Sequence, residues 1–170
     1  MTESRRSWCG FAYIFGAVGL PTVALDQVTK AAALAWLNPG VQHHLVGNLL
    51  SLQLVRNAGA AFSFAASSTW VFTVIATVVV VAVACISPQV TRRWWYVVLG
   101  LLVGGAAGNL VDRLIQPPAF GQGHVVDFIN YNNWFIGNVA DIAIVLAVVG
   151  VVVLTFLGVP LDGTAKRRSQ

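Results

Sequence analysis

Four apolar segments separated by shorter polar stretches set the pattern of the chain. They cover residues 9–35, 69–86, 94–115 and 134–157. Each is close to the about 20 apolar residues that a helix needs to cross the hydrocarbon core of a bilayer. The pattern predicts an all-α integral membrane protein with four transmembrane helices. Residues 49–55 alternate imperfectly and favour a small sheet in the first long loop, although an ordinary loop with a turn from Asn57 to Gly59 fits the spacing equally well.

The composition supports a lipid environment. Of the 170 residues, 57% are hydrophobic and only 9% are charged, whereas soluble domains carry about 25% charged residues. The net charge of +4 does not indicate nucleic acid as a partner, because the basic residues form short clusters at the ends of apolar segments and no stripe interleaved with aromatic residues. The length and the absence of a linker predict a single membrane domain, residues 1–170.

The basic residues also predict the orientation. Seven of them flank the termini and the turn between the second and third segments: Arg5, Arg6, Arg92, Arg93, Lys166, Arg167 and Arg168. The other two loops carry only Arg56. Because cytoplasmic loops are enriched in Lys and Arg, both termini are predicted to be cytoplasmic. No small-x-small site closes the first segment, so we expect it to remain as a span and not to be cleaved as a signal peptide.

No pattern in the chain predicts a metal or a cofactor. His43 and His44 are adjacent and lack partners at ligand spacing, and the isolated Cys9 and Cys85 are interpreted as small buried apolar residues in a reducing compartment. The chain has no HExxH, Walker, GxSxG or GxGxxG pattern. Metalloenzymes and nucleotide-binding proteins are therefore disfavoured.

Four of the six acidic residues are predicted to converge at one depth. Asp26 and Asp112 each lie about 27 Å from the inner interface along their helices, at ~1.5 Å per residue. Asp141 lies seven positions after Trp134, which predicts a depth of roughly 10 Å below the outer interface. Asp127 lies in the loop just before the fourth span. Ionisable groups inside spans are costly, so the convergence predicts a functional site near the outer face.

Polar residues near these acids share helix faces at i, i+3 and i+4 spacing. The sets are Asp26 with Lys30, Asn109 with Asp112 and Arg113, and Asn138 with Asp141. In the first two sets the acid has a basic neighbour, which favours the structural ion pairs Asp26–Lys30 and Asp112–Arg113. Asp127 and Asp141 have no such neighbour. In a low-dielectric site, two unpaired carboxylates are expected to share one proton.

A carboxylate pair that shares a proton can catalyse hydrolysis. The ionised carboxylate takes a proton from water, while the protonated one polarises a carbonyl and later supplies a proton to the leaving amine, as in aspartic proteases. Carboxylates also serve glycosidases, proton relays and cation sites. The chemistry alone does not choose among these functions.

Five short blocks contain these residues. In order they are Asp26-Gln-Val-Thr-Lys30, Asn57-Ala-Gly-Ala-Ala-Phe62, Gly104-Gly-Ala-Ala-Gly-Asn-Leu-Val-Asp-Arg113, Val126-Asp-Phe128 and Asn138-Val-Ala-Asp141. Together they resemble the motif blocks of the lipoprotein signal peptidase (signal peptidase II) family, from the first span into the fourth. No motif position departs from the family's pattern.

The resemblance implies an aspartyl endopeptidase of the bacterial inner membrane. It would remove the signal peptide from prolipoproteins, cutting before a cysteine that carries a diacylglyceryl group. Asp127 and Asp141 would be the catalytic dyad on the periplasmic side. The remaining matched residues would bind the substrate or support the dyad: Asp26, Lys30, Asn57, Gly59, Asn109, Asp112, Arg113, Asn138 and Ala140. The first outer loop would correspond to a small periplasmic β-cradle, and the loop before the fourth span to a short lid-like segment.

The same resemblance implies the partners. These are a diacylglyceryl prolipoprotein, membrane lipid and the inhibitor globomycin, without a metal or another cofactor, and the chain is expected to be a monomer. Three other functions are weighed against it. A transporter or proton relay would need polar residues through the inner halves of the spans, which carry almost none. A non-catalytic scaffold would tolerate Asp127→Asn, and a serine–lysine protease would use Ser63 with Lys30.

Overall fold

Helices and a small sheet make up the computed structural model of the protein, which describes residues 10–59 and 69–162. The π-helical segment Ala12–Gly19 continues directly into α1 (Leu20–Trp36), and the other long helices are α2 (Thr69–Ile86), α3 (Arg93–Ile115) and α4 (Val139–Phe156). Large apolar side chains on α2 and α4 are exposed, among them Val78, Val145 and Val152. Such continuous apolar surfaces fit contact with lipid.

Three helices of the described part of the chain are long and apolar enough to cross a membrane. They are Thr69–Gln89, Arg93–Ile115 and Val139–Phe156. The first segment is divided into an eight-residue π-helix and a 17-residue α-helix, and neither piece alone has the necessary length. A fourth span therefore stays a prediction. The charged clusters at both termini lie outside the described residues, so the orientation stays a prediction as well.

Helix α3 lies at the centre of the bundle, and small residues bring its neighbours close. A side chain at Gly104 would come within 2.5 Å of Thr22 Cβ, and one at Gly108 within 2.6 Å of Asp26 Oδ2. Gly105 packs in the same way against the first turns of α4, next to Ile144. The close approach that the GxxxG spacing predicts is therefore present, and it brings Asp26 of α1 against α3.

A four-stranded antiparallel sheet joins the two outer loops. Its strands are β1 (Gln42–Val46), β2 (Leu50–Asn57), β3 (Val125–Tyr131) and β4 (Phe135–Gly137), paired in the order β1-β2-β3-β4. The prediction of a sheet in the first loop is confirmed, but the description of the fold as all-α is incomplete. The loop before α4 contributes half of the strands of the sheet, where only a short lid-like segment was expected.

The start of α4 differs from the prediction. The fourth segment was predicted to be helical from residue 134, but Trp134 lies in the turn between β3 and β4 and is 87% exposed. Residues 135–137 pair with β3, and the helix begins only at Val139. The predicted depth of Asp141 counted seven helical residues after Trp134, and this count is wrong. Asp141 lies in the first turn of α4.

The interpretation of the two cysteines as buried residues can be tested for Cys85. Cys85 is exposed on α2, so the interpretation as a buried residue is wrong. Most of the surface of α2 is exposed, which leaves few buried positions on this helix. Cys9 lies outside the described residues.

Candidate active site

Asp127 lies at the middle of β3 and is 2% exposed. Two amide side chains donate to its carboxylate: Asn57 Nδ2 to Oδ2 at 2.8 Å, and Asn138 Nδ2 to Oδ1 at 2.6 Å. Asn57 reaches this position because it ends β2, where it pairs with Val125. The register of the sheet therefore sets the first half of the site.

Asp141 is positioned by the capping of α4. The backbone N–H of Asn138 donates to Asp141 Oδ2 at 3.0 Å, and the backbone N–H of Asp141 donates to Asn138 Oδ1 at 3.1 Å. This is a reciprocal capping box, which satisfies two backbone donors that a helix start leaves open. Asn109 Nδ2 from α3 donates to the other carboxylate oxygen at 2.9 Å.

Asn138 joins the two carboxylates. Its side chain donates to Asp127, and its backbone donates to Asp141. Burial raises the pKa of Asp127 to about 7, the hydrogen bond from Asn57 opposes this rise, and the charge of Asp141 adds to it. Asp127 therefore keeps its proton to a higher pH than ordinary carboxyl groups, whose pKa is about 3.9.

Gly59 fixes the direction of Asn57. Its backbone has φ +107°, a conformation that strains residues with a side chain. Its N–H donates to Asn57 Oδ1 at 2.8 Å, which leaves Asn57 Nδ2 directed at Asp127. A side chain at Gly59 would also overlap the ring of Phe72.

A buried ion cluster lies next to the dyad. Lys30 Nζ is 2.8 Å from Asp26 Oδ2 and 2.8 Å from Asp112 Oδ2. The predicted pair of Asp26 and Lys30 is confirmed, but the predicted pair of Asp112 and Arg113 is wrong. Adjacent side chains on a helix point in different directions and do not face each other.

Arg113 faces the cavity instead. Its Nη1 donates to the backbone carbonyl groups of Asn57 at 3.3 Å and Gly123 at 3.0 Å. Its guanidinium carbon lies 5.4 Å from the centre of the Phe72 ring, within the range of a cation–π interaction. The guanidinium group is thus held in place between the end of β2, the loop before β3 and the side of α2.

Ala140 is a position that only a small side chain fits. It is fully buried, its Cβ lies 3.4 Å from where a side chain at Gly108 would begin, and its N–H donates to Asp26 Oδ1 at 3.0 Å. Asp112 Oδ2 likewise accepts from the backbone of Val126 at 3.0 Å. All eleven site residues that the sequence predicts are therefore within this one region.

Two cavities meet at the dyad. One has a volume of about 340 Å³ and opens between α2, α3 and α4. Its polar lining consists of Asn57, Asn109, Arg113, Asp127 and Asp141, and its apolar lining includes Phe72, Ile75, Val79, Leu102, Ala106 and Ile144. The other, of about 350 Å³, shares Asp141 with the first and is also lined by Tyr131, Phe135, Asn138, Ile142, Val145 and Leu146.

The sequence interpretation missed two residues of the site. Gln27 Nε2 donates to Asp26 Oδ2 at 3.1 Å and to Asp112 Oδ1 at 3.3 Å, and its place inside the first motif block was the available signal. Gly137 leaves room for the dyad, since a side chain there would come within 2.8 Å of Asp141 Oδ2. No spacing in the sequence indicates this contact.

The structure also bears on two other kinds of site, a metal centre and a serine–lysine protease. Among residues 10–59 and 69–162, no group of three or more His, Cys, Asp or Glu side chains could hold a metal ion. Ser63 lies outside the described residues. Lys30, its predicted partner in a serine–lysine protease, is 2% exposed and is bound to two carboxylates and to Asn109 Oδ1.

Comparison with protein families identifies the chain. The model of the family described as signal peptidase (SPase) II matches residues 18–157, which is most of the chain and includes all five motif blocks. The chain belongs to the signal peptidase II family. The resemblance seen in the sequence is therefore confirmed.

Relatives within the signal peptidase II family are similar over most of their length. The lipoprotein signal peptidase of Rhodococcus jostii is 47% identical over 144 residues, which cover 85% of this chain and 73% of the relative. That of Mycobacterium leprae is 42% identical over 148 residues, which cover 87% of this chain and 74% of the relative. The chain is accordingly a transmembrane hydrolase, a protease of the lipoprotein signal peptidase type.

A solved structure shares the fold of this signal peptidase II chain. It is described as a bacterial membrane enzyme, and it superposes with a TM-score of 0.68 at 25% sequence identity. The superposition covers 82% of this chain and 90% of the other. Apolar helices together with a small antiparallel sheet thus form the scaffold of a membrane enzyme.

Proposed function

We propose that the protein is an aspartyl endopeptidase that cleaves diacylglyceryl-modified prolipoproteins before the lipidated cysteine. Asp127 and Asp141 are the catalytic dyad. The observation that supports this most directly is the pair of carboxylates that share Asn138 as a donor and line one cavity. Neither carboxylate is held in an ion pair among the described residues, so both are free for proton transfer.

The two carboxylates differ in the role that their surroundings favour. Asp127 is buried in the sheet, and its pKa of about 7 suits the acid that protonates a carbonyl oxygen. Asp141 lies in the first turn of α4, where the helix dipole and the backbone N–H groups favour a negative charge. We therefore assign Asp141 as the base that activates water.

The reaction then proceeds in two steps. Water attacks the scissile carbonyl carbon, its proton moves to Asp141, and Asp127 protonates the carbonyl oxygen, which gives a neutral tetrahedral diol. In the second step the C–N bond breaks, Asp141 gives its proton to the leaving nitrogen, and Asp127 takes back a hydroxyl proton. The products are a signal peptide with a new carboxyl group and a lipidated cysteine with a free amine. Neither a metal nor a covalent intermediate is required.

The cavities fit a substrate that is already in lipid. The polar end of the first cavity contains Arg113, whose guanidinium group can hold backbone carbonyl groups of an extended peptide next to the dyad. The apolar remainder of both cavities borders the exposed faces of α2 and α4. A signal helix and two acyl chains can pack there, and each buried CH₂ group contributes about 0.8 kcal/mol.

We further propose the topology that the sequence predicts. The single membrane domain would have four spans, both termini in the cytoplasm and the sheet with the dyad on the periplasmic side of the bacterial inner membrane. Active as a monomer, the enzyme would be inhibited by globomycin in the cavity. Seven basic residues flank the predicted inner ends and only Arg56 lies in the predicted outer loops, which supports this orientation.

The described residues give no support to a transporter. The buried charged side chains of the described residues all lie at the site: Asp26, Lys30, Asp112, Arg113 and Asp127. The end of the bundle away from the dyad has an apolar core that includes Ile14, Val83, Leu99 and Leu154. A proton or ion path would need polar groups through this region. The polar residues of the site instead form one cluster around the dyad, and several of them line the first cavity.

Cleavage of a lipidated prolipoprotein by the purified protein in lipid bilayers tests the proposal. Asp127→Asn and Asp141→Asn should each abolish cleavage. Asp162→Asn is the matched control, because Asp162 follows the far end of α4 and should leave cleavage intact. Ser63→Ala tests the serine–lysine alternative and should also remain active. Full activity in either dyad variant would refute the assignment.

A further inference from the structure

Lys30 has a polar acceptor for each of its three N–H groups. Nζ contacts Asp26 Oδ2 and Asp112 Oδ2 at 2.8 Å each and donates to Asn109 Oδ1 at 3.0 Å. An ammonium group has three donors, so these contacts use all of them. Lys30 is 2% exposed and is absent from the lining of both cavities. It therefore does not meet a substrate directly.

Asn109 connects Lys30 to the dyad. Its Oδ1 accepts from Lys30 and from Asn138 Nδ2 at 3.1 Å, while its Nδ2 donates to Asp141 Oδ1 at 2.9 Å. An amide has an acceptor at one end and donors at the other. A half-turn of the Asn109 amide would place its NH₂ group against the Lys30 ammonium and its oxygen against the Asp141 carboxylate. Lys30 therefore opposes this turn.

The orientation of Asn109 also determines that of Asn138. Asn138 Nδ2 donates both to Asn109 Oδ1 and to Asp127 Oδ1, at 3.1 Å and 2.6 Å. With the Asn109 oxygen turned away, Asn138 would lose one of these acceptors. The charge on Lys30 thus acts through two amides, one directed at each carboxylate of the dyad.

We propose that Lys30 is a positioning residue of the dyad, which holds the amides of Asn109 and Asn138 so that both present Nδ2 to the carboxylates. This inference rests on the proposed function, because it assigns Lys30 a part in the same reaction. The competing explanation is that the ion cluster only stabilises the packing of α1 against α3. Packing alone does not require a donor to Asn109, so the two explanations predict different results.

Two variants of equal side-chain length separate these explanations. Lys30→Met and Lys30→Gln each remove the positive charge, but only Gln retains an N–H donor. Both are combined with Asp112→Asn, which keeps the net charge of the cluster at its wild-type value. Asp112→Asn alone is the reference. Thr22→Ala is the control, because Thr22 lies on the same helix as Lys30 and packs against Gly104 of α3, while its hydroxyl donates to the backbone carbonyl of Val18 and not to Asn109.

The readouts are kcat, KM and the temperature of thermal unfolding. Relative to the reference, the Lys30→Met double variant should lose on the order of 100-fold in kcat, the scale of a small misplacement of catalytic groups. Its KM should be unchanged, because Lys30 lies outside both cavities. The Lys30→Gln double variant should recover most of the loss. Thr22→Ala should unfold at a lower temperature but keep the wild-type kcat.

Three results would overturn the inference. The first is full activity of the Lys30→Met double variant, and the second is an equal loss of kcat in the Met and Gln double variants. The third is a loss of kcat that follows the unfolding temperature in every variant, Thr22→Ala included, which would make the cluster purely structural. A wild-type protein that does not cleave the lipidated substrate would refute the proposed function itself. An active wild type beside a fully active Met variant would refute only the role of Lys30.

Discussion

Asp112 Oδ2 accepts a hydrogen bond from the backbone N–H of Val126, the residue that precedes Asp127, at 3.0 Å. Asp26 Oδ1 accepts from Ala140, the residue that precedes Asp141, also at 3.0 Å. Each acid of the ion cluster therefore holds the backbone beside one acid of the dyad. The cluster is thus the structural link between the helices α1 and α3 and the two segments that carry the dyad.

Asp112→Ala should destabilise the protein more than Asp112→Asn. Both replacements remove one of the two carboxylates that hold Lys30. Alanine also removes the acceptor of the Val126 N–H, and a buried donor left without a partner costs about 1–3 kcal/mol. Asparagine keeps an oxygen for Val126 and should cost clearly less. Denaturant unfolding in detergent, followed by tryptophan fluorescence, measures both free energies. Equal losses would show that the Val126 hydrogen bond contributes little.

The rate of cleavage should decrease on the alkaline side of neutral pH. The pKa of Asp127 is about 7, mainly because of burial, so the acid is protonated below this value and ionised above it. If Asp127 donates a proton, kcat/KM, whose pH dependence reports ionisations of the free enzyme, should fall about tenfold per pH unit well above pH 7. A pH–rate profile of the purified enzyme measures the midpoint of this fall.

Asn57→Ala should move this midpoint to higher pH. The hydrogen bond from Asn57 lowers the pKa of Asp127, so its removal raises that pKa further and keeps the acid protonated over a wider range. Asn38→Ala changes an exposed asparagine outside the site and should leave the midpoint in place. A midpoint that stays fixed or moves to lower pH in Asn57→Ala would contradict the role of Asp127 as the acid.

Ala140→Val and Ala147→Val should separate stability from catalysis. Both alanines are fully buried on α4, and an added side chain in a packed core costs about 1–3 kcal/mol. Of the two, Ala140 is next to Asp141, and its own backbone N–H donates to Asp26. Both variants should therefore unfold at lower temperature, but Ala140→Val alone should lose kcat in the folded protein. Parallel losses of activity would indicate a general effect of overpacking.

Local spacing accounts for the parts of the site that the sequence predicted. Asp26 and Lys30 are separated by one helical turn, and their ion pair follows directly from that separation. The motif blocks contain the three asparagines that hydrogen-bond to the two carboxylates, Asn57, Asn109 and Asn138. What spacing could not predict is the partner of Asp112, because Lys30 reaches it from another helix.

Pairing between strands that are not predicted by local spacing explains why the predicted start of α4 was wrong. Residues 134–137 are apolar like the helix that follows them, so the sequence alone extends α4 by about one turn. Pairing of Ile129 with Gly137 and of Tyr131 with Phe135 makes these residues a strand. The hydrogen bonds of a sheet depend on a partner strand, and β-propensity depends strongly on such context. Because these residues form a strand, α4 begins later than predicted, and Asp141 lies in its first turn.

Gly59→Ala should reduce cleavage far more than Gly40→Ala. Both glycines have positive φ, +107° and +81°, so alanine strains the backbone by about 1–3 kcal/mol at either position. A side chain at Gly40 meets no atom within 4 Å, whereas one at Gly59 overlaps the ring of Phe72. The overlap displaces the N–H that orients Asn57, and a displacement of about 1 Å at a catalytic group can cost on the order of 100-fold in rate. Cleavage assays on the two folded variants measure the difference, and equal activities would show that Gly59 has no part in positioning the donor to Asp127.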